Sequence, residues 1–312
     1  MFQKAKVIIN AKAGAYLAGR RFKDIQKRLK ESGCEPYISE TRYRYHAKEL
    51  AIDGVKKHFD LIISVGGDGT INEIINGIME CKDSFNNLPA LGFISVGTGA
   101  DLCRSLNIPF DYQKAIEIIL KGNLAAIDIG IVKFKLGDKF WIRYFANVFD
   151  VGLGGNVVRI ANHIPKCFGG FLTFLLSSFV GIMISKPVYL KINIDGTDKD
   201  EGNINILGTA NGKYFGGGMK IAPMANISDG YLEVLYVKDT NTFKFIKNVL
   251  LPVYDARHLF YKKLFQVRAR KVKIISNKVF LADIDGEEER AEEVEITIIP
   301  KALNVIVPDK SL

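Results

Sequence analysis

Residues 60–79 read DLIISVGGDGTINEIINGIM. The run from Asp60 to Val65 is short and apolar, the composition of a strand covered on both faces of a parallel sheet. Gly66-Gly67-Asp68-Gly69-Thr70 follows at once, and the spacing from Ile71 to Met79 predicts a helix. A strand, a glycine turn and a helix bring backbone amides and a helix N-terminus to the carboxyl end of a parallel strand, where anionic groups bind. Glycine permits the tight turn and the close approach of phosphate oxygens. Thr70 adds a hydroxyl. Asp68 would repel phosphate unless a divalent cation lay between them, so it points to Mg²⁺. The spacing is not that of a Walker A loop. For this stretch alone, an ordinary glycine-rich turn is the plain alternative.

Outward from this stretch the pattern repeats. Lys6 to Asn10 reads as a strand and the following AKAGAYLAG as a loop; Arg20 to Ser32 reads as a helix stopped by Gly33. Pro36 to Thr41 is a second strand and His46 to His58 a second helix. Ala90 to Val96 is again a strand, with Gly97-Thr98-Gly99-Ala100-Asp101 behind it and a helix from near Asp101. Strands alternating with helices imply a parallel α/β sheet. Two adjacent turns presenting glycine, threonine and aspartate to one crevice suit a nucleoside triphosphate. From Leu124 to Val132 the texture changes to β-rich segments, with hairpin turns at Asp195-Gly196 and Asp285-Gly286. This predicts a second, antiparallel β domain of sandwich or barrel type, with a boundary near residue 130. Helical patches near 156–184 and 242–265 interrupt it.

The 312 residues are 48% hydrophobic and 25% charged, which suits two globular domains and excludes a disordered tail or a metal-stapled mini-domain. The 29 glycines follow no Gly-X-Y repeat, which excludes collagen. The net charge of +9 favours anionic partners: nucleotide phosphates, nucleic acid or an anionic lipid surface. No basic–aromatic motif for nucleic acid is present. Cys34, Cys81, Cys103 and Cys167 form no CxxC pair, and the amino terminus has no apolar h-region, so a reducing, cytoplasmic setting is expected. His46, His58, His163 and His258 are scattered and read as structural or surface residues, and Trp141 as core. The uncharged stretch 168–184 would rise only about 26 Å as a helix, short of a bilayer core of about 30 Å. It reads as a buried helix or the wall of an apolar pocket.

GGDGTINE at 66–73, with GTGAD at 97–101, resembles the diacylglycerol kinase catalytic family, which includes bacterial lipid kinases and sphingosine kinases. The likeness runs almost the full length: Asn10-Ala11-Lys12-Ala13-Gly14, Asp128-Ile129-Gly130, Gly152-Leu153-Gly154, Asn211 to Met219, Ile221-Ala222-Pro223, Ser228-Asp229-Gly230 and Asp285-Gly286-Glu287. GGDGT alone is shared with NAD kinases and loosely with phosphofructokinases; the ordered set is more specific.

The resemblance implies a three-layer α/β nucleotide-binding domain over 1–130, joined by about 301–312, and an antiparallel β-sandwich lipid-substrate domain over 131–300. It implies ATP on Gly66, Gly67, Asp68, Gly69, Thr70, Ile71 and Asn72, with Thr41, Gly97 and Thr98 nearby. Asp68, Asp101 and Asp128 would form an acidic network that organises Mg²⁺, with Asp68 also catalytic. A second, structural Mg²⁺ would sit at Asp229, near Asn226 and Tyr231. Glu287 matches the general base that deprotonates the lipid hydroxyl, though by composition Glu287 to Glu293 is an acidic run of the kind that forms a solvated face. The implied activity is ATP-dependent phosphorylation of diacylglycerol or a related lipid alcohol. An NAD kinase-like enzyme and a nucleotide- or lipid-binding pseudokinase are the alternatives. Two positions depart from the family pattern: Ala100 stands where asparagine is usual, and Ser228 where aspartate is common. Arg268, Arg270, Lys271 and Lys273, with Lys262 and Lys263, are expected to face a transient anionic membrane surface. A homodimer is compatible with these features.

Overall fold

The computed structural model describes residues 2, 4–31, 33, 35–96, 99–153, 155–156, 181 and 185–308, leaving aside the side chains of 15–22. The expectations placed on Gly97, Thr98, Gly154 and, apart from Gly181, the uncharged stretch 168–184 fall outside these residues. The chain divides into two units, Met1–Ile127 with Lys301–Leu312, and Asp128–Pro300.

In the first unit the order is β1 (Lys4–Ile9), α1 (Ala13–Glu31), β2 (Glu35–Glu40), α2 (His46–Lys56), β3 (Leu61–Gly66), α3 (Asp68–Glu80), β4 (Ala90–Ser95), α4 (Asp101–Ser105) and α5 (Tyr112–Lys121). The four strands are parallel in the order β4-β3-β1-β2. The end of a later strand, β13 (Glu287–Ile306), lies parallel to β4 through Val305 and Leu91. Every residue of β3 and β4 is buried, as a strand covered on both faces requires. Val7, Ile9, Ile63, Val65 and Ile94 meet Ile25 and Leu29 of α1 and Ile116 and Ile119 of α5 on one face. Helices α2 and α3 pack together over the other, where Lys6 reaches Asp53 of α2 at 2.5 Å. These are the three layers of the expected α/β fold.

Two helices start earlier than the sequence pattern indicates. Helix α1 begins at Ala13 and absorbs the expected loop, because alanine is the strongest helix former and outweighs the glycines there. Helix α3 begins at Asp68, so the aspartate, Gly69 and Thr70 of the glycine turn form its first helical turn.

The second unit is strand-rich. Strand β5 (Leu124–Leu136) enters it and pairs antiparallel with β6 (Lys139–Phe145). Then follow β7 (Val148–Gly152), β8 (Val188–Ile194), β9 (Thr197–Ala210), β10 (Leu232–Lys238), β11 (Leu264–Ala269) and β12 (Lys271–Ile284). The order β11-β10-β9-β7-β12-β13 is joined by β8, which pairs with both β9 and β12. Strand β9 takes β8 along its first half and β7 along its second. Strand β12 does likewise on either side of a bulge between Ile275 and Phe280. Long strands that change partner in this way turn the corners of a β-sandwich. The core is aromatic and aliphatic, with Phe134 stacked on Trp141 at 5.2 Å and set edge-on to Phe149 at 6.0 Å. Between 242 and 265 the expected helical patch is a chain of short turns: α6 (Thr242–Phe245), a π-turn (Ile246–Leu250) and two 3₁₀ turns (Pro252–Asp255 and Arg257–Phe260).

Candidate active site

In the first unit, the strand order places a topological switch point between β1 and β3, since β1 is followed by β2 on one side and β3 returns on the other. Ligands of open α/β sheets bind at such a point, beyond the carboxyl ends of the strands. Asn10 ends β1 and spans the gap: its N–H donates to Val65 O at 3.0 Å and its Nδ2 donates to Thr70 Oγ1 at 3.2 Å. Thr41, just past β2, donates its N–H to Ile9 O at 2.9 Å. Thr41, Asn10, Gly66 to Thr70 and Asp101 thus share one edge of the sheet.

Gly67 stands at the N-cap of α3, and the first in-helix bond runs from Ile71 N–H to Gly67 O at 3.1 Å. The amides of Asp68, Gly69 and Thr70 therefore precede the helical ladder, and the helix dipole favours an anion there. Thr70 is buried against the turn; a Cβ on Gly66 would lie 2.6 Å from its Oγ1. Asn72 is buried too, and it accepts from Asn76 Nδ2 at its backbone O (2.9 Å) and its Oδ1 (3.1 Å). Glu73 reaches away from the edge and accepts from the N–H groups of Tyr45 (2.8 Å) and Ala47 (3.0 Å), fixing the start of α2.

Asp68 joins the two glycine turns. Its Oδ2 accepts from Ala100 N–H at 2.7 Å and its Oδ1 from Asp101 N–H at 3.0 Å. The second turn is wrapped so tightly over this carboxylate that a Cβ on Gly99 would lie 2.4 Å from Oδ2. Ala100 is held left-handed at φ 50° and ψ 42°, a conformation asparagine tolerates better than alanine. This gives a physical reason for the residue usual at that position. Behind the turn, burial and then the charges of Asp68 and Asp101 push the Cys103 thiol up.

In the second unit, Asp128 is fully buried. Its Oδ2 accepts from Gly230 N–H at 2.6 Å, and its backbone O accepts from Asn211 Nδ2 at 2.9 Å. It thereby ties the Ser228-Asp229-Gly230 turn to the strand. Asn226 Oδ1 accepts from Ser228 N–H at 3.1 Å. Asp229 is ion-paired to Arg268 and accepts from Tyr231 N–H at 3.0 Å. The guanidiniums of Arg268 and Arg270 both lie over the Tyr231 ring, at 4.4 and 4.7 Å from its centroid. A metal at Asp229 would have to displace Arg268. Among the described residues no three His, Cys, Asp or Glu side chains group as a metal site, and both Asp68 oxygens already hold amides. Of the residues expected to bind Mg²⁺, Asp68 and Asp101 belong to the first unit and Asp128, Asn226, Asp229 and Tyr231 to the second.

Glu287 opens β13, opposite Ile284. The Asp285-Gly286 turn before it has φ 49° and 91°, the two left-handed positions of a type I′ hairpin. Asp285 is pinned by the N–H groups of Ala146 (2.9 Å), Asn147 (3.1 Å) and Val148 (2.8 Å). Asp283 Oδ1 accepts from Gly286 N–H at 2.7 Å. Asp283 on β12 also lies directly opposite Asp150 on β7, both buried. Burial first, then the Asp150 charge, hold the Asp283 carboxyl well above the usual range, because two buried carboxylates side by side cannot both ionise cheaply. The Asp150–Asp283 pair was not legible in the sequence, since its members lie 133 positions apart and meet only through strand register.

The acidic run after Glu287 is not a bare solvated face. Glu289 pairs with Arg143 at 2.7 Å, both largely buried, and Glu293 with Lys273 at 2.8 Å. Four basic residues expected at a lipid surface are likewise engaged: Lys271 with Glu295 at 2.9 Å, Lys273 with Glu293, Arg268 with Asp229 and Glu233, and Arg270 with the Tyr231 hydroxyl at 3.1 Å. They lie opposite acidic neighbours across the sheet or beside the 228–231 turn, which the linear charge pattern does not reveal.

A family model described as the diacylglycerol kinase catalytic domain matches residues 4–132, and one described as the YegS C-terminal NAD kinase beta sandwich-like domain matches residues 147–307. A diacylglycerol kinase of Staphylococcus saprophyticus is 28% identical over 291 residues, covering 92% of this chain and 90% of the relative. One of Bacillus subtilis strain 168 is 27% identical over 310 residues, covering 98% and 97%. A crystal structure of a candidate diacylglycerol kinase from Bacillus anthracis str. Sterne superposes with a TM-score of 0.81 at 25% identity, covering 100% of this chain and 97% of that one.

Proposed function

This chain belongs to the diacylglycerol kinase family, and on that premise we propose that it transfers the γ-phosphoryl group of ATP to the hydroxyl of diacylglycerol or a closely related lipid alcohol. The observation that carries the reading is the pair of glycine turns joined through Asp68 at the switch point of the parallel sheet. In this reading the triphosphate lies on the amides of Gly67 to Thr70 at the start of α3, with Asn10 and Thr70 fixing the turn and Thr41 and Asp101 at its margins. By the family resemblance, Gly97 and Thr98 also serve the nucleotide. Asp68 acts by holding that turn in place. A divalent ion enters with the triphosphate, as part of the substrate.

Phosphoryl transfer asks little covalent chemistry of the protein and much positioning. The lipid oxygen bonds to the γ-phosphorus as the bond to the β–γ bridging oxygen breaks, and ADP departs. Glu287 takes the hydroxyl proton, so the lipid leaves as its phosphate. The hairpin pinned by Asp283 and Asp285 fixes the backbone from which Glu287 projects.

The test is transfer of labelled γ-phosphate to a panel of diacylglycerol, sphingoid bases, monoacylglycerol and NAD. Label in phosphatidic acid is the expected result. Label in NAD alone, or ATP consumption indifferent to lipid, would overturn the proposal.

A further inference from the structure

Arg268, Lys271 and Lys273 are held in ion pairs, whereas another basic segment of the second unit is largely without them. Residues 241–265 carry Lys244, Lys247, Arg257, Lys262 and Lys263 against a single carboxylate, Asp255, which pairs with Arg257 at 2.9 Å. Lys244, Lys247 and Lys262 form no ion pair with any described residue. Three large apolar side chains of the same segment stand in solvent: Phe243 is 75% exposed, Leu251 66% and Phe260 85%. The inward positions are filled in the usual way by Phe245, Val249 and Val253, so the exposed three are not a misplaced core. Leu251 and Phe260 line an open groove of about 580 Å³ together with Lys247, Arg257 and Lys262. Apolar and cationic groups therefore occupy one surface.

We propose that this face, with Leu251 and Phe260 as its apolar contacts and Lys247 and Lys262 as its charged contacts, docks on an anionic lipid bilayer. Scattered exposed apolar residues are normal; here they share a groove with cations, which is the composition of an interfacial segment. Lysine is depleted from protein–protein interfaces, whereas anionic lipid attracts it at each position near the surface. Four of the five cations are lysines, and this favours a bilayer over an acidic protein. Phe243 and Lys244 extend the same pattern. The irregular backbone of short α, π and 3₁₀ turns sends successive apolar side chains to solvent, which a continuous amphipathic helix anchored by its apolar stripe would not do. The proposal rests on the reading that the substrate is a lipid, since docking would bring the protein to the surface where that substrate resides.

The experiment uses the full chain, without ATP, in co-sedimentation with phosphatidylcholine vesicles containing or lacking phosphatidylglycerol. Binding to the anionic vesicles is expected, falling with added salt. Lys247→Gln with Lys262→Gln should weaken it by on the order of tenfold or more, and Leu251→Ser with Phe260→Ser should weaken it at every salt concentration. Both variants should keep the wild-type melting temperature and wild-type phosphate transfer to a water-soluble short-chain diacylglycerol. Vesicle binding equal in wild type and both variants overturns the docking surface. So does an active wild type that ignores anionic vesicles, or a face that retains an acidic protein and not lipid. If the chain docks through these residues yet phosphorylates no lipid, the kinase reading fails and the surface stands.

Discussion

Replacing Gly99 with alanine tests whether the second glycine turn is moulded on the Asp68 carboxylate. The new methyl carbon would lie 2.4 Å from Asp68 Oδ2. Clearing a 3.0 Å contact requires the oxygen to move by about 0.6 Å, the difference between those two distances. That displacement stretches and weakens the 2.7 Å bond from Ala100 N–H and distorts the 3.0 Å bond from Asp101 N–H. A hydrogen bond to a charged group contributes about 1.5–3 kcal/mol. With some strain in the second bond, Gly99→Ala should cost about 2–4 kcal/mol. Asp68→Ala should cost a similar amount, because it removes the same two acceptors. In the double variant the methyl meets no carboxylate, so Gly99→Ala in that background should cost under about 1 kcal/mol. Urea unfolding of the four proteins closes the cycle, and ATP calorimetry alongside it should show affinity lost in all three variants. Costs that add to within about 0.5 kcal/mol would mean the two residues act independently, and the idea of a turn cast around Asp68 would be wrong.

Three further outcomes follow from the geometry. Glu287→Gln should lower kcat for lipid phosphorylation by at least about 10²-fold, the low end for acid–base groups, while ATP affinity measured by calorimetry holds; near-normal turnover would remove Glu287 from the reaction. The Asp283 carboxyl is raised in the folded state above its ordinary 3.8, so the folded protein binds more protons than the unfolded chain. This carboxyl's contribution to stability is therefore fully present below its ordinary value of 3.8 and is lost as pH rises through the folded value. Asp283→Asn, which keeps an acceptor for Gly286 N–H, should flatten that slope in urea titrations run from acid to neutral pH and raise stability at pH 7; an unchanged slope would place the proton elsewhere. Finally, Arg268 neutralises Asp229, so Mg²⁺ without nucleotide should leave the melting temperature of the wild type unchanged. Arg268→Ala should lower that temperature, with Mg²⁺ partly restoring it; a Mg²⁺ effect in the wild type would show that the ion displaces the guanidinium.

The α/β layer was legible because its signals are local. A strand such as Leu61–Gly66 announces itself by its mostly apolar run and its glycine stop, and β13 by the Asp285-Gly286 turn before it, whose two positions need a positive φ. Boundaries were less legible where a motif residue is itself helical: Asp68 read as turn chemistry and proved to be the first residue of α3. The candidate site divides in the same way. Glycine turns are written in consecutive residues, whereas the Asp150–Asp283 pair, the Arg268–Asp229 pair and the Lys273–Glu293 pair depend on which strands lie side by side. Charge counted along the chain placed Lys271 and Lys273 at a lipid surface; sheet register set them against glutamates. The exposed Phe243, Leu251 and Phe260 could not be told from core residues by composition, because an irregular chain of turns has no single period to read.

One strand has a consequence for how the protein is made. Beside β3, the second parallel partner of β4 is the far end of β13, around Val305, so the first unit borrows that ladder from chain that leaves the ribosome only after all of the second unit. Until then the flank of Leu91 has no neighbour there, and closing so long a loop is slow. The parallel sheet is thus begun first and finished after its companion, and a nascent chain stalled before Lys301 would carry a raw hydrophobic edge for chaperones to guard.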